Sequence, residues 1–274
     1  MDNKVPPSVK QIITKYLILF NDRLPNTLEG FFLTGSIALG SYHEGKSDID
    51  FVAIINHMLN EEEMTGLNHI HQKLKESYPS QIIDGCYLHW SDLGSPSYEI
   101  GKVPYFYEGK LHFDNKFGDI NMVTWHVIRN HTVSCMNYNT SKLDFVIKTE
   151  RLKLYAINNL NSYWVMWKDK IEDMQSIKRY YALLEDTIVW VVLGVSRIYY
   201  TLLEGDVTSK DGAGEFALHH VPEKYHRIIK EALRIRKGER KRIYISPWKR
   251  RRDALEYMHY IILESNKLWG THKL

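Results

Sequence analysis

The sequence predicts an α+β protein: a small mixed sheet with flanking helices over residues 1–140, followed by an all-helical domain over residues 141–274. Three observations predict it. Residues 29–55 alternate short apolar runs with a Gly-Ser turn and a polar loop, the pattern of two strands joined across one sheet. Beyond Thr140 the apolar positions recur at helical spacing instead. Charge divides at the same place: residues 1–140 hold 11 Lys+Arg against 16 Asp+Glu, whereas residues 141–274 hold 25 against 17.

Taken in order, Pro6–Asn21 reads as an amphipathic helix, with Val9, Ile12, Ile13, Tyr16 and Phe20 on one side. Glu29–Leu33 and Ile49–Ile55 are strands, and Leu67, Ile70 and Leu74 give Asn60–Ser77 the apolar face of a helix. Gln81–Trp90 is a third strand. Residues 91–118, rich in Gly, Pro, Tyr and Asp, read as irregular, and Asn121–His131 as the helix that closes the first domain. In the second domain, Lys142–Asp173 reads as one or two helices and Ser176–Leu203 as one long apolar helix. Gly205 is suited to cap that helix in the left-handed region. Helices follow at Ser209–Leu218, with Ser209 as N-cap, at Pro222–Ile235 and at Trp248–Leu268.

The 274 residues, 44% of them hydrophobic, are enough for one large core or two modest ones. Cys86 and Cys135 are the only cysteines, too few for a disulfide framework or a zinc site. No run reaches transmembrane length, and residues 1–20 lack the basic start, apolar stretch and cleavage site of a signal peptide. A cytoplasmic protein with no membrane partner is expected; the oligomeric state stays open. Within the basic second half, Arg234–Arg252 holds ten basic residues and one acid, Glu239. A solvated helix end is the plainest reading of that cluster, with a nucleotide phosphate as the alternative; nucleic acid is not the expected partner.

The chemistry concentrates in one stretch. An apolar strand runs into Gly35-Ser36, and a loop leads to Ser47-Asp48-Ile49-Asp50 at the head of the next strand. Residues two apart on a strand project to the same side, so Asp48 and Asp50 point together beside the Gly-Ser turn. Two convergent carboxylates suit Mg²⁺, which prefers oxygen ligands and leaves positions open for phosphate. Backbone N–H groups at a helix start suit the phosphates themselves. The combination reads as an Mg-nucleotide site.

At this spacing the stretch resembles the nucleotidyltransferases of the DNA polymerase β superfamily. A second resemblance covers Val191–Gly205, Ser209–Leu218 and Val221–Tyr225, where Arg197-Ile198-Tyr199-Tyr200 precedes Ser209-Lys210-Asp211 and then Val221-Pro222-Glu223-Lys224-Tyr225. This is similar to the helical C-terminal domain of the aminoglycoside adenylyltransferases that act on streptomycin and spectinomycin. Together the resemblances imply an N-terminal nucleotidyltransferase domain, 1–140, and a helical domain, 141–274, that clamps substrate and ATP. They imply that Gly35, Ser36 and Ser47 flank the ATP phosphates and that Asp48 and Asp50 hold Mg²⁺. Arg197 and Lys210 would reach the phosphates from the helical domain, with the site in a cleft between the two. Asp84 falls where the family has its third carboxylate, usually Glu, and would ligate metal or take the proton from the acceptor hydroxyl; Asp119 is the fallback.

The implied reaction is transfer of AMP from ATP to a hydroxyl of an aminoglycoside-like antibiotic, with pyrophosphate leaving. A polycationic acceptor calls for carboxylates and aromatic faces. The family's acidic substrate position falls on Thr187, immediately after Glu185 and Asp186, and these two, with Trp167, are the acceptor-side candidates. Two other readings remain: transfer to a different small molecule, a protein or an RNA end, and a nucleotide-binding regulator without turnover.

Overall fold

The structure, a computed structural model, describes residues 4–173 and 175–271 and divides into two compact units, Met1–Ile147 and Lys148–Leu274.

The first unit is a six-stranded mixed sheet with helices. In chain order it comprises α1 (Pro7–Arg23), β1 (Leu28–Leu33), the single turn α2 (Gly35–Ala38), β2 (Ile49–Ile55), α3 (Glu61–Ser77), β3 (Ile83–Leu88), β4 (Val103–Tyr107), β5 (Lys110–Asp114), α4 (Met122–Asn130) and β6 (Val133–Ser134). The strand order is β5-β4-β3-β2-β1-β6. Only β2 and β3 run parallel, because α3 carries the chain back between them; the other neighbours are antiparallel. α3 begins with a capping box in which the Asn60 side chain accepts the Glu63 N–H and the Glu63 carboxylate accepts the Asn60 N–H.

Alternation along the strands sorts the two faces. Phe31, Phe51 and Tyr87 meet Tyr16 of α1 and His71 of α3 on one face. Phe32, Val52, Ile54, Cys86 and Leu88 meet Trp125 and Ile128 of α4 on the other. The two helices α1 and α3, read from periodicity, therefore cover one side, and the helix expected at 121–131 covers part of the opposite side.

The stretch expected to be irregular, 91–118, contains the hairpin β4–β5. Its turn is two residues long, Glu108-Gly109, with positive φ at both (50° and 77°). Two-residue hairpin turns of this hand match the strand twist. The aromatic run Tyr105-Phe106-Tyr107 and the apolar–polar–apolar Leu111-His112-Phe113 on either side are the strand signal.

The second unit is helical: α5 (Thr149–Asn159), a π-helical turn over Leu160–Trp164, α6 (Val165–Glu172), α7 (Glu185–Glu204), α8 (Lys210–His220), α9 (His226–Lys237) and α10 (Pro247–Thr271). The long apolar helix is shorter than expected. Ile177–Leu183 forms a separate 3₁₀ segment, and α7 begins only at Glu185. α7 ends at Gly205 in the left-handed region, as the sequence predicts. It is long and apolar enough to cross a bilayer, yet Ile188, Val192, Val195 and Leu202 bury in a core with Ile229, Leu233, Met258 and Ile261 of α9 and α10.

The basic cluster Arg234–Arg252 divides: Arg234, Arg236, Arg250 and Arg251 are held by partners within the helical unit, and the other six are exposed. Glu231, fully buried on α9, accepts from Arg234 Nε at 2.7 Å and lies 3.5 Å from Arg250 Nη1. Burial pushes the Glu231 carboxyl up, but the Arg234 and Ile243 hydrogen bonds and the two arginine charges outweigh it and hold it below the usual range. Arg250 also donates to the Leu183 carbonyl at 2.7 Å, and Arg251 to the Ile171 and Arg179 carbonyls at 2.7 and 3.1 Å. Arg236 pairs with Asp211 at 2.9 Å. Lys237, Arg240, Lys241, Arg242, Lys249 and Arg252 are exposed.

Candidate active site

The carboxylates come together through strand pairing. β2 and β3 are parallel and in register Asp50↔Asp84, so the two aspartates sit side by side on one face of the sheet. Asp48 lies two residues before Asp50, just ahead of β2. It is exposed, Asp50 is half-buried and Asp84 is 7% exposed. This is the face of Cys86 and Leu88, opposite the one that α1 and α3 cover.

Gly35 is required twice over. Its φ is +56°, and a Cβ there would fall on the Asp50 carboxylate. The Gly-Ser turn and the second aspartate of Asp-x-Asp are thus in direct steric contact. Across the same junction the Thr34 N–H donates to the Asp50 carbonyl at 2.9 Å. α2 is one turn long and has no side-chain cap, so the N–H groups of its first residues point out without an intrahelical acceptor. Ser36 is half-buried within it.

The loop between the motifs is held by side chains. The Ser47 hydroxyl accepts the His43 N–H at 3.0 Å and keeps its own proton to give. The Gln81 amide donates to the Ser47 carbonyl at 3.1 Å and accepts from the Tyr42 hydroxyl at 3.0 Å. Tyr42 and Gln81, given no functional role by the sequence, therefore tie the loop to the head of β3.

Asp84 has the perturbed environment. Burial raises its pKa, the Asp48 charge raises it further, the Glu108 N–H lowers it, and Asp119 and Glu108 add repulsion; the balance is about 6. The Glu108 N–H reaches Asp84 Oδ1 at 3.2 Å. This donor belongs to the β4–β5 hairpin turn, within the stretch expected to be irregular. Only the aromatic and apolar runs around Glu108-Gly109 signalled it. The donor set of Asp48, Asp50 and Asp84 is all oxygen and mutually repulsive, which a hard divalent cation such as Mg²⁺ relieves.

In the second unit, Arg197 is half-buried on α7, and Lys210 opens α8 directly after its N-cap, Ser209, whose hydroxyl accepts the Gly212 N–H at 3.0 Å. Two of the acceptor-side candidates have partners within the chain. Glu185 does not present a spare charge: its Oε1 lies 3.2 Å from Arg250, 3.4 Å from Arg234 and 3.6 Å from Arg242. Trp167 packs edge-on against Trp190, with the Lys170 and Lys178 ammonium groups 5.5 and 5.7 Å from its ring centre. Its cation-binding face is thus engaged by the chain's own lysines. Asp186 is exposed in the first turn of α7.

Residues 15–88 match the nucleotidyltransferase domain family, which defines the class of the first unit. Residues 166–264 match the family described as the aminoglycoside adenylyltransferase C-terminal domain. The two matches follow one another in this order along the chain, which is thus similar to aminoglycoside adenylyltransferases in its C-terminal part and to nucleotidyltransferases in its N-terminal part. Among curated proteins it is similar to aminoglycoside (3'') (9) adenylyltransferases of Klebsiella pneumoniae, Shigella flexneri and Escherichia coli, each 35% identical over 81 residues. Those segments span 29% of this chain and 29% of each relative, so well under half the relatives' length is matched. A crystal structure of spectinomycin adenyltransferase AAD(9) from Enterococcus faecialis with ATP and spectinomycin shares the fold at a TM-score of 0.63. It is 16% identical, over 94% of this chain and 98% of that one.

Proposed function

We propose that this chain is an Mg-dependent nucleotidyltransferase that moves AMP from ATP to a hydroxyl of an aminoglycoside-like antibiotic in the cytoplasm, releasing pyrophosphate. The observation that carries the reading is the Asp50↔Asp84 register on parallel strands, with Asp48 beside them and Gly35 against Asp50. Asp48 and Asp50, with Asp84 as third carboxylate, would hold Mg²⁺. Bound there, the ion supplies charge stabilisation to the phosphates. Asp84 takes the proton from the acceptor oxygen as that oxygen attacks the α-phosphorus and pyrophosphate leaves on the far side. Without the ion, burial and the Asp48 charge raise the Asp84 pKa to about 6, above the usual carboxylate range.

Gly35, Ser36 and Ser47 offer backbone and hydroxyl groups to the triphosphate. Arg197 and Lys210 supply cations to it. The match of residues 166–264 supports that role. On the acceptor side, Asp186 is the carboxylate that remains exposed. The domain boundary at about residue 140 is read from the change of periodicity.

The test is a pyrophosphate-release screen over aminoglycosides and spectinomycin with ATP, GTP and CTP. Product masses are then checked for one added nucleotide. Release with ATP and one aminocyclitol, and a product heavier by AMP, supports the reading; no release with any pair overturns it.

A further inference from the structure

A pocket lies in the first unit on the face of the sheet away from the carboxylates. Its volume is about 300 Å³, the lower end of the range for small-molecule sites. It opens beside the C-terminal half of α3, under β3 and the β4–β5 turn, with Leu74, Ile82, Ile83 and Phe106 as apolar walls. Strand alternation separates it from the catalytic face. Asp84, Cys86 and Leu88 point to the α4 side, whereas Tyr87 points to α1 and α3.

The polar groups of the pocket are few and placed. His71, 2% exposed, stacks parallel on Phe106 (3.8 Å, 11°) and shares a hydrogen bond with the Tyr87 hydroxyl at 2.6 Å. Burial pushes its pKa down to about 3, so this wall is a neutral aromatic surface. Lys75 folds over the mouth: its Nζ lies 3.0 Å from where a Gly109 Cβ would be. Among the described residues it forms no ion pair. The Glu108 charge contributes to raising the Asp84 pKa.

We propose that this pocket is a ligand site for a compact planar aromatic carboxylate, with its ring against Leu74 and Phe106 and its carboxylate on Lys75. Its occupation shifts the setting of Asp84. The coupling is short. Ile83 forms a wall and immediately precedes Asp84, and Glu108 lines the pocket while its N–H holds Asp84 Oδ1. Glu108 is a non-glycine residue at φ +50°, so pressure on the turn meets a backbone already held in a sparsely populated region. The coupling, though not the binding, rests on the catalytic reading of Asp84.

The experiment uses the full chain and three probes of one shape: 2-naphthoate, neutral 2-naphthamide and cationic 2-naphthylmethylamine. Titration calorimetry should show saturable binding of 2-naphthoate with a dissociation constant of about 1 mM, the strength expected of a fragment that size. The amide should bind more weakly and the amine weakest. Ile82→Trp, at a half-exposed mouth position, should abolish binding, and exposed Lys75→Met should remove the preference for the carboxylate, about tenfold. The ¹⁵N-detected Glu108 amide resonance should move on binding, and the AMP-transfer rate should change several-fold in the parent but not in Ile82→Trp. Absence of saturable binding, or parental binding by Ile82→Trp, overturns the site. A Lys75→Met chain that keeps the charge preference overturns the ligand class. Binding that moves neither the Glu108 resonance nor the rate overturns the coupling. If Asp84→Ala transfers AMP normally while naphthoate still binds, the catalytic reading fails and the pocket stands.

Discussion

Replacing Asp84 by Asn should stabilise the metal-free protein at neutral pH, and by an amount set by the site. Asn is isosteric and keeps an oxygen for the Glu108 N–H, which now stands 3.2 Å from Oδ1. What changes is the charge. In the folded chain the Asp84 pKa is raised from 3.8 to about 6, first by burial and then by Asp48. A raised carboxyl favours the folded state while it is protonated, so its contribution is fully present below pH 3.8 and is lost as pH rises through about 6. A shift of about 2 units is worth about 3 kcal/mol at pH 7.5, about 1 kcal/mol at pH 4.5 and almost nothing near pH 3.5. Urea unfolding in EDTA, with the two units' transitions fitted separately, should therefore show Asp84→Asn more stable than the parent by up to about 3 kcal/mol at pH 7.5. The two should converge by pH 3.5. Adding Mg²⁺ should stabilise the parent more than the variant, because the cation offsets the charge that only the parent carries. Equal stabilities at every pH, or a variant less stable at pH 7.5, would refute the claim that Asp84 is a buried, repelled carboxylate.

Asp48→Asn and Asp50→Asn should each lower AMP transfer by several orders of magnitude with an unchanged circular dichroism spectrum, read by pyrophosphate release. Gly35→Ala should cost about 1–2 kcal/mol for its positive φ and should also displace the Asp50 carboxylate, so activity falls further than stability; melts and rates on the same samples separate the two. Lys210→Ala should raise the ATP dissociation constant about tenfold by calorimetry, the loss of one charge-assisted hydrogen bond. Glu231→Gln should leave Arg234 and Arg250 without their buried counter-charge and destabilise the second unit by about 3–5 kcal/mol in urea, with no requirement that nucleotide be present.

Local chemistry explains what was legible without coordinates. Gly35-Ser36 and Asp48-Ile49-Asp50 sit within one strand–turn–strand segment, so sequence spacing alone placed them together. The helices α1, α3 and α9 showed in their periodicity, and Gly205 marked the end of α7. The hairpin β4–β5 was hidden because Gly, Pro and Asp around it outweighed the short aromatic and apolar runs, and its turn places a non-glycine residue at positive φ.

The sequence by itself determined the order of an α+β unit and a helical unit, the motif that names the chemistry, and the residue type at each end of it. Only the tertiary structure decided how distant residues meet. The Asp50↔Asp84 register follows from parallel pairing across the α3 crossover, and the Glu108 N–H reaches Asp84 because β4 pairs with β3. Glu185 is an acceptor-side candidate because it lies beside Thr187, where the family's acidic position falls, and it also meets Arg234 and Arg250, 49 and 65 positions away. The physical reason is common to all three. Periodicity and turn chemistry act over a few residues, whereas strand register and the pairing of buried charges are fixed only when the whole core closes and every charge removed from water must find its partner.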